Sequence, residues 1–255
     1  MSTLAPTERR FGVEIECGHP RGTSGVITSL RKYRIPHEDV GSDGSGVEVR
    51  TRPLRGKEGF RKLKKLMDHL QKIGCYITQA DGQHIHLEAK DYEADPELRA
   101  RLIESYAANR EHIIKFVDPY RRNYGSCSNV WEGSRKKKPN QERLRQVKQG
   151  VLFGRGDLNL SNLREGYHGT IEIRLHEGNL EFEKIQAWIH FWMDFLDRVK
   201  ASDKPLRPYA NEHTLFRGIH IDPVMRAKLR EAAKRYNDPG RTPIPTYSSV
   251  IRHSF

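Results

Sequence analysis

Four stretches of this chain alternate between apolar and ionisable residues, and that period of two limits most of what the chain can fold into. In FGVEIEC, Phe11, Val13, Ile15 and Cys17 alternate with Gly12, Glu14 and Glu16. In VEVR, Val47 and Val49 alternate with Glu48 and Arg50. HIHLE sets His84, His86 and Glu88 against Ile85 and Leu87. TIEIRLH sets Thr170, Glu172, Arg174 and His176 against Ile171, Ile173 and Leu175. A β-strand sends alternate residues to opposite faces. If the four strands share one sheet, its apolar face packs on helices and its other face gathers ionisable side chains.

An ordinary solvated sheet face shows the same alternation, but with a different composition. Exposed strand positions favour Thr and other β-tolerant residues, and Glu is depleted there. Here Glu14, Glu16, Glu48, Glu88 and Glu172 hold polar positions in a chain of net charge +12, joined by Arg50 and Arg174 and by no Lys. Two like charges 4 Å apart repel by roughly 1 kcal/mol in water and about 4 kcal/mol at an effective dielectric of 20. Several such pairs would offset much of a total stability of roughly 5–15 kcal/mol. A bound cation would relieve that repulsion.

The chain's 255 residues can bury a sizeable core. No apolar run reaches the roughly 18 residues of a membrane span. The start, MSTLAPTERRFG, lacks the apolar centre of an export signal. Three cysteines without a CxxC pair give neither a disulfide framework nor a zinc knuckle, and fit a reducing, cytoplasmic setting. The excess of 45 Lys and Arg over 33 Asp and Glu points to an anionic partner. It is concentrated in RKLKK (61–65), SRKKKP (134–139) and the last fifty residues. Helix-turn-helix, zinc-finger and RNP signatures are absent, which disfavours nucleic acid.

Phe60, Leu63, Met67, Leu70 and Ile73 recur at helical spacing before Gly74, predicting a capped helix. CYIT (75–78) reads as a strand ahead of HIHLE. Asp95-Pro96 opens a helix running to about residue 117. Shorter helical patterns follow at 140–149 and, strongly amphipathic, at 181–200, where Trp188, Trp192 and Phe195 cover the apolar sheet face. Asp222-Pro223 starts a last helix reaching about 237. Strands mixed with helices, without βαβ regularity, indicate an α+β fold with a largely antiparallel sheet. The expected organisation is a main domain over 1–202 and a basic helical extension over 203–255.

Glu14 and Glu16, about 7 Å apart on one strand face, can flank one hard cation or hold two. Glu48 and Glu172 on neighbouring strands would complete an oxygen-rich nest of the kind Mg²⁺ prefers. His84-x-His86 is also a zinc spacing, but no Cys or third His follows and the remaining donors are carboxylates. An Arg at position 174 beside Glu172 suits a phosphate clamp, or a plain ion pair. GxSxG, GxxxxGK[ST] and post-strand GxGxxG motifs are absent. The glycine-rich 41–46 precedes a strand, so it reads as a turn presenting Asp43 and Ser45.

The order FGVEIE, SDGSGVEVRTRPL, GQHIHL, YRRNYGSC, LNLSNL and HGTIEIRLHEGNLE, followed by an amphipathic helix, resembles the amidoligase family over about residues 10–200. That resemblance implies a carboxylate–amine ligase of the glutamine synthetase and glutamate–cysteine ligase fold, with a curved antiparallel sheet whose open face binds ATP and Mg²⁺. It makes Glu14, Glu16, Glu48, Glu172 and His86 metal ligands, for two or more Mg²⁺ with Mn²⁺ as a substitute. Arg174 then meets the γ-phosphate, with His84, His86 and Asn159 also on the nucleotide. Ser45, Arg50, Arg121, Arg122 and Asn123 face the substrate, and Asp43 is the candidate base. The implied partners are a carboxylate and an amine on an amino acid, peptide or protein, joined through an acyl phosphate. Phosphoryl transfer on the same fold, or nucleic-acid binding through the basic surface, are the alternatives. The turns Asp81-Gly82-Gln83 and Glu177-Gly178-Asn179 depart from the family's commoner Cys-Gly and Gly-Thr.

Overall fold

The computed structural model describes residues 9–43, 46–123, 131, 138–151, 156–211, 214–215 and 222–244, with Asp43 and Asn123 described in backbone only. Among the described residues six strands form one antiparallel sheet: β1 (Phe11–Cys17), β2 (Asp39–Asp43), β3 (Gly46–Arg50), β4 (Gly82–Glu88), β5 (Leu158–Asn159) and β6 (Thr170–Glu177), in the order β2-β3-β1-β4-β6-β5. The four alternating stretches are the central strands β3, β1, β4 and β6, and all their alternation serves one sheet.

Seven helices are described: α1 (Gly22–Lys32), α2 (Gly56–Lys72), α3 (Lys90–Glu93), α4 (Pro96–Ile113), α5 (Gln141–Lys148), α6 (Phe182–Ala201) and α7 (Pro223–Tyr236). Helix α2 ends where its periodicity predicts, with Gly74 taking the left-handed φ of 83° that a side chain would resist. Asp95 and Asp222 cap α4 and α7 by accepting the N–H groups of Leu98 and Val224, each with Pro at the first helical position. Asn140 does the same for α5. Phe60 of α2 stacks on Phe11 of β1, and Trp188 of α6 meets His176 of β6, so these helices lie on the apolar face. Val13, Ile15, Val49, Ile85, Leu87, Ile171 and Ile173 are buried in that layer. Helix α7 packs on α6 through buried Leu229, Ala232 and Tyr236.

Four details differ from the sequence expectations. Residues 41–43 of the expected 41–46 turn belong to strand β2, paired with β3. CYIT forms no strand; only Tyr76 bridges, to Gly18, because Cys75 follows directly on the α2 cap and the chain turns again at 79–80. The long helix stops at Ile113 and continues as a 3-10 turn over Ile114–Phe116. β6 carries one extra residue against β4, since Gln83 pairs with His176 but Ile85 with Ile173. That bulge reverses the alternation, so His176 faces Trp188 on the helix side and not the ionisable face. No described helix is long and apolar enough to cross a membrane.

Candidate active site

Strand register assembles the ionisable face. Across β1 and β3, Glu16 stands opposite Glu48 and Glu14 opposite Arg50. Across β1 and β4, Glu14 stands opposite His84; across β4 and β6, His86 stands opposite Glu172. Asn159 of the edge strand β5 faces Glu172 from the other side. Opposed residues in an antiparallel sheet share a face at about 5 Å between Cβ atoms. Period two and register therefore bring Glu14, Glu16, Glu48, His84, His86, Glu172 and Arg174 together from four strands.

Glu14 lies at the centre. Its two oxygens are 2.9 Å from His84 Nδ1 and 3.2 Å from His86 Nε2, with Arg50 Nε at 3.7 Å. Glu172 accepts from Arg174 at 2.5 Å and from the buried Asn159 amide at 2.6 Å. Asn159 is itself fixed, its oxygen accepting the backbone N–H and the hydroxyl of Ser161. Glu16 accepts the Gly82 N–H at 2.5 Å and lies 3.5 Å from His84 Nε2. Glu48 pairs with Arg50 at 2.5 Å. His84, 4% exposed, thus stands between Glu14, Glu16 and Glu172.

These contacts set the charge states. Burial alone would raise the Glu14 carboxyl, but His84 and His86 outweigh it and hold the group well below the usual carboxylate range. Burial alone would lower His86, but Glu14 and Glu172 outweigh it and raise its pKa. The carboxylate repulsion inferred from sequence is therefore already much reduced by the protein's own imidazoles and guanidinium groups, whose spacing between the carboxylates the sequence does not display.

Glu14, His86 and Glu172 each offer one ligand atom, and the three atoms lie within 4.8 Å of one another. The buried Nε2 of His86 is close to Glu14 yet off its hydrogen-bonding direction, leaving it without an aligned partner among the described residues. The two carboxylate oxygens are the hard donors that Mg²⁺ and Mn²⁺ take, while the imidazole nitrogen is a donor more usual for the later transition metals, so the set fits Mn²⁺ more readily than Mg²⁺. A cleft of about 320 Å³ opens beside these ligands, lined by Gly12, Glu14, Thr51, Pro53, His86 and Thr170.

The remaining expected residues are spread more widely. Asn159 orients Glu172, a role its sequence position does not signal. Arg50 reaches Glu14, Glu48 and Asp39 at the rim. Arg121 is buried at the Gly82 end of the face, donating to the Arg174 carbonyl at 3.2 Å. Arg122 turns away, donating to the Val117 carbonyl and to Asn237 beyond α7. Glu88 pairs with Arg10 at the far end of β4. Asp43 ends β2 at the sheet edge; its side chain, that of Asn123, and all of Ser45 lie outside the described residues.

The chain is thus an open antiparallel sheet with carboxylates and imidazoles converging on one face and helices on the other. Residues 25–196 match the family described as "Putative amidoligase enzyme", and the chain belongs to that amidoligase family. The match begins after β1, so Glu14 and Glu16 precede the matched residues. No curated protein matches the chain.

Proposed function

We propose that this protein is an ATP-dependent carboxylate–amine ligase with a glutamine synthetase-like site, forming an amide or isopeptide bond through an acyl phosphate. The supporting observation is the approach of Glu14, His86 and Glu172 to within 4.8 Å on an open sheet face in a member of the amidoligase family. Residues 1–202 would carry this site, with 203–255 as an extension to it.

A divalent cation held by Glu14, His86 and Glu172 would neutralise phosphate charge, and Glu16 and Glu48 would be donors to a second. Arg174, anchored on Glu172, presents a planar cation to the γ-phosphate as the substrate carboxylate attacks and ADP departs. Asn159 keeps Glu172 oriented so that its other oxygen holds Arg174. The cleft beside Glu14 and His86 has the size of a small-ligand site and would seat the nucleotide. An amine then attacks the acyl carbon, forming the C–N bond as the C–O bond to phosphate breaks and inorganic phosphate leaves, and its proton passes to a base; Asp43 at the end of β2 is the candidate.

The test is ADP release from Mg-ATP in the presence of amino-acid or peptide pools. Release should need both a carboxylate and an amine, and give a product lighter than the reactants by one water. Glu172→Gln and Arg174→Ala should each lower the rate at least about a hundredfold, as loss of a transition-state charge contact does. Retained turnover in both variants would refute the mechanism, and a phosphorylated product without a new amide would make the protein a phosphotransferase.

A further inference from the structure

The C-terminal extension, which lies beyond the family-matched residues, is bonded to the turn that carries Arg121. Arg241 holds the buried Asp118 carboxylate with two bonds, at 2.7 and 3.2 Å. The Tyr236 hydroxyl donates to one oxygen of buried Glu177, at the end of β6, and the other oxygen accepts the Asp118 N–H at 3.1 Å. Asp118 in turn accepts the N–H of Tyr120 on its carboxylate and that of Arg121 on its carbonyl. Asn237 completes the tie, accepting from Arg122 and donating to the Lys115 carbonyl. The turn is thus held by β6 on one side and by the extension on the other.

What the turn delivers is the Arg121 guanidinium. It is buried, donates to the Arg174 carbonyl, and lies so close to Gly82 that a Cβ there would stand 2.5 Å from its Nη2 and 3.1 Å from Glu16 Oε2. Arg121 and Glu16 therefore flank the same backbone position, the one whose N–H Glu16 accepts.

We propose that Tyr236 and Arg241 are positioning residues of the active site, acting through Glu177 and Asp118 to hold Arg121 against Gly82 and Glu16. The extension is then a working part of the ligase site, and this inference rests on the proposed function for its catalytic meaning. Its geometry can be tested without turnover. In the full chain, Arg241→Ala should speed amide exchange at Tyr120, Arg121 and the distant Gly82 by about tenfold or more, while central β1 amides stay protected. Arg121→Ala should speed Gly82 exchange by a similar factor, and the double variant should be no faster there than Arg121→Ala alone. Arg241→Lys should recover part of the protection.

Tyr236→Phe, which removes one hydroxyl, carries the same comparison should Arg241→Ala fold poorly. In ligase assays, Arg241→Ala should lower kcat about tenfold with the KM for Mg-ATP little changed, and add nothing to the loss in Arg121→Ala. Unchanged Gly82 exchange in Arg241→Ala and Tyr236→Phe, or effects that multiply with Arg121→Ala, would overturn the proposal. Coupled exchange in a protein with no ligase turnover would retire the ligase reading and leave the lock standing. Ligase turnover indifferent to Arg241→Ala would retire the positioning role and leave the ligase reading standing.

Discussion

At the scale of single residues, His84 carries more of the face than its HxH spacing suggests. Its two ring nitrogens lie on opposite sides, one near Glu14 and Glu172 and the other near Glu16. Removing a buried hydrogen-bond partner costs about 1–3 kcal/mol, and more where the group left behind is charged, because that group stays buried and unsatisfied. His84→Ala should therefore lower Tm markedly in EDTA, and Mn²⁺ should restore more of it than it adds to the wild type. Equal Mn²⁺ increments in the two proteins would show that the carboxylates do not share a cation. His86 yields a pH prediction. A ligand imidazole must be neutral, and its pKa is raised above 6.5 by Glu14 and Glu172 despite burial. Mn²⁺ affinity should thus climb as pH rises through that raised value, and His86→Gln should flatten the climb. Metal-free stability follows the opposite limb for the same pair. The His86 contribution is full below 6.5 and lost as pH rises through its folded-state value, whereas the Glu14 contribution is present above 4.5 and lost as pH falls through its depressed one. A stability profile monotonic in pH, measured with chelator, would contradict this pairing.

At the scale of elements, register accounts for both what could be read from the sequence and what could not. Period two placed Glu14, Glu16, Glu48, His86 and Glu172 on one face because each of their strands is regular where those residues sit. His176 escaped the same rule because a bulge is a property of pairing, visible only once β4 lies beside β6. α1 is not legible because it buries only Val26 and Leu30 and begins with Gly22, and β2 reads as part of a turn because it is the polar run DVGSD. The strand read in CYIT shrank to one bridge. The contributions of Asn159 and of the Gly82 N–H come from cross-strand neighbours, which no local pattern announces. Gly82 offers a test at this scale. A methyl group there meets the end of a long side chain, so Arg121 must move while the β4 backbone can stay. Gly82→Ala should cost about 1–3 kcal/mol, as overpacking does, yet lower ligase turnover more than tenfold. Turnover equal to wild type would mean that Arg121 is free to shift without consequence.

At the scale of the whole molecule, the chain beyond residue 202 is bound to the rest by more than the last helix. The Ser202 carbonyl accepts from Arg101, and the N–H groups of Leu206 and Tyr209 donate to Ser105 and Asn109 on α4. α7 then buries Leu229 and Tyr236 against α6 and the turn after α4. Full burial of a large apolar side chain contributes about 1.5–3 kcal/mol, and a hydrogen bond to a charged group about 1.5–3 kcal/mol. Leu229, Tyr236 and the Arg241–Asp118 pair together reach roughly 5 kcal/mol or more, a large part of an ordinary domain's roughly 5–15 kcal/mol. Truncation after residue 202 should therefore lower Tm by about 10 °C or more, at roughly 2–4 °C per kcal/mol for a chain of this size. It should also leave the buried carboxylates of Asp118 and Glu177 without the hydrogen bonds that the extension gives them. Calorimetry on the truncated and full chains checks this. A Tm within about 4 °C of the full chain would make residues 1–202 an autonomous unit with 203–255 merely attached.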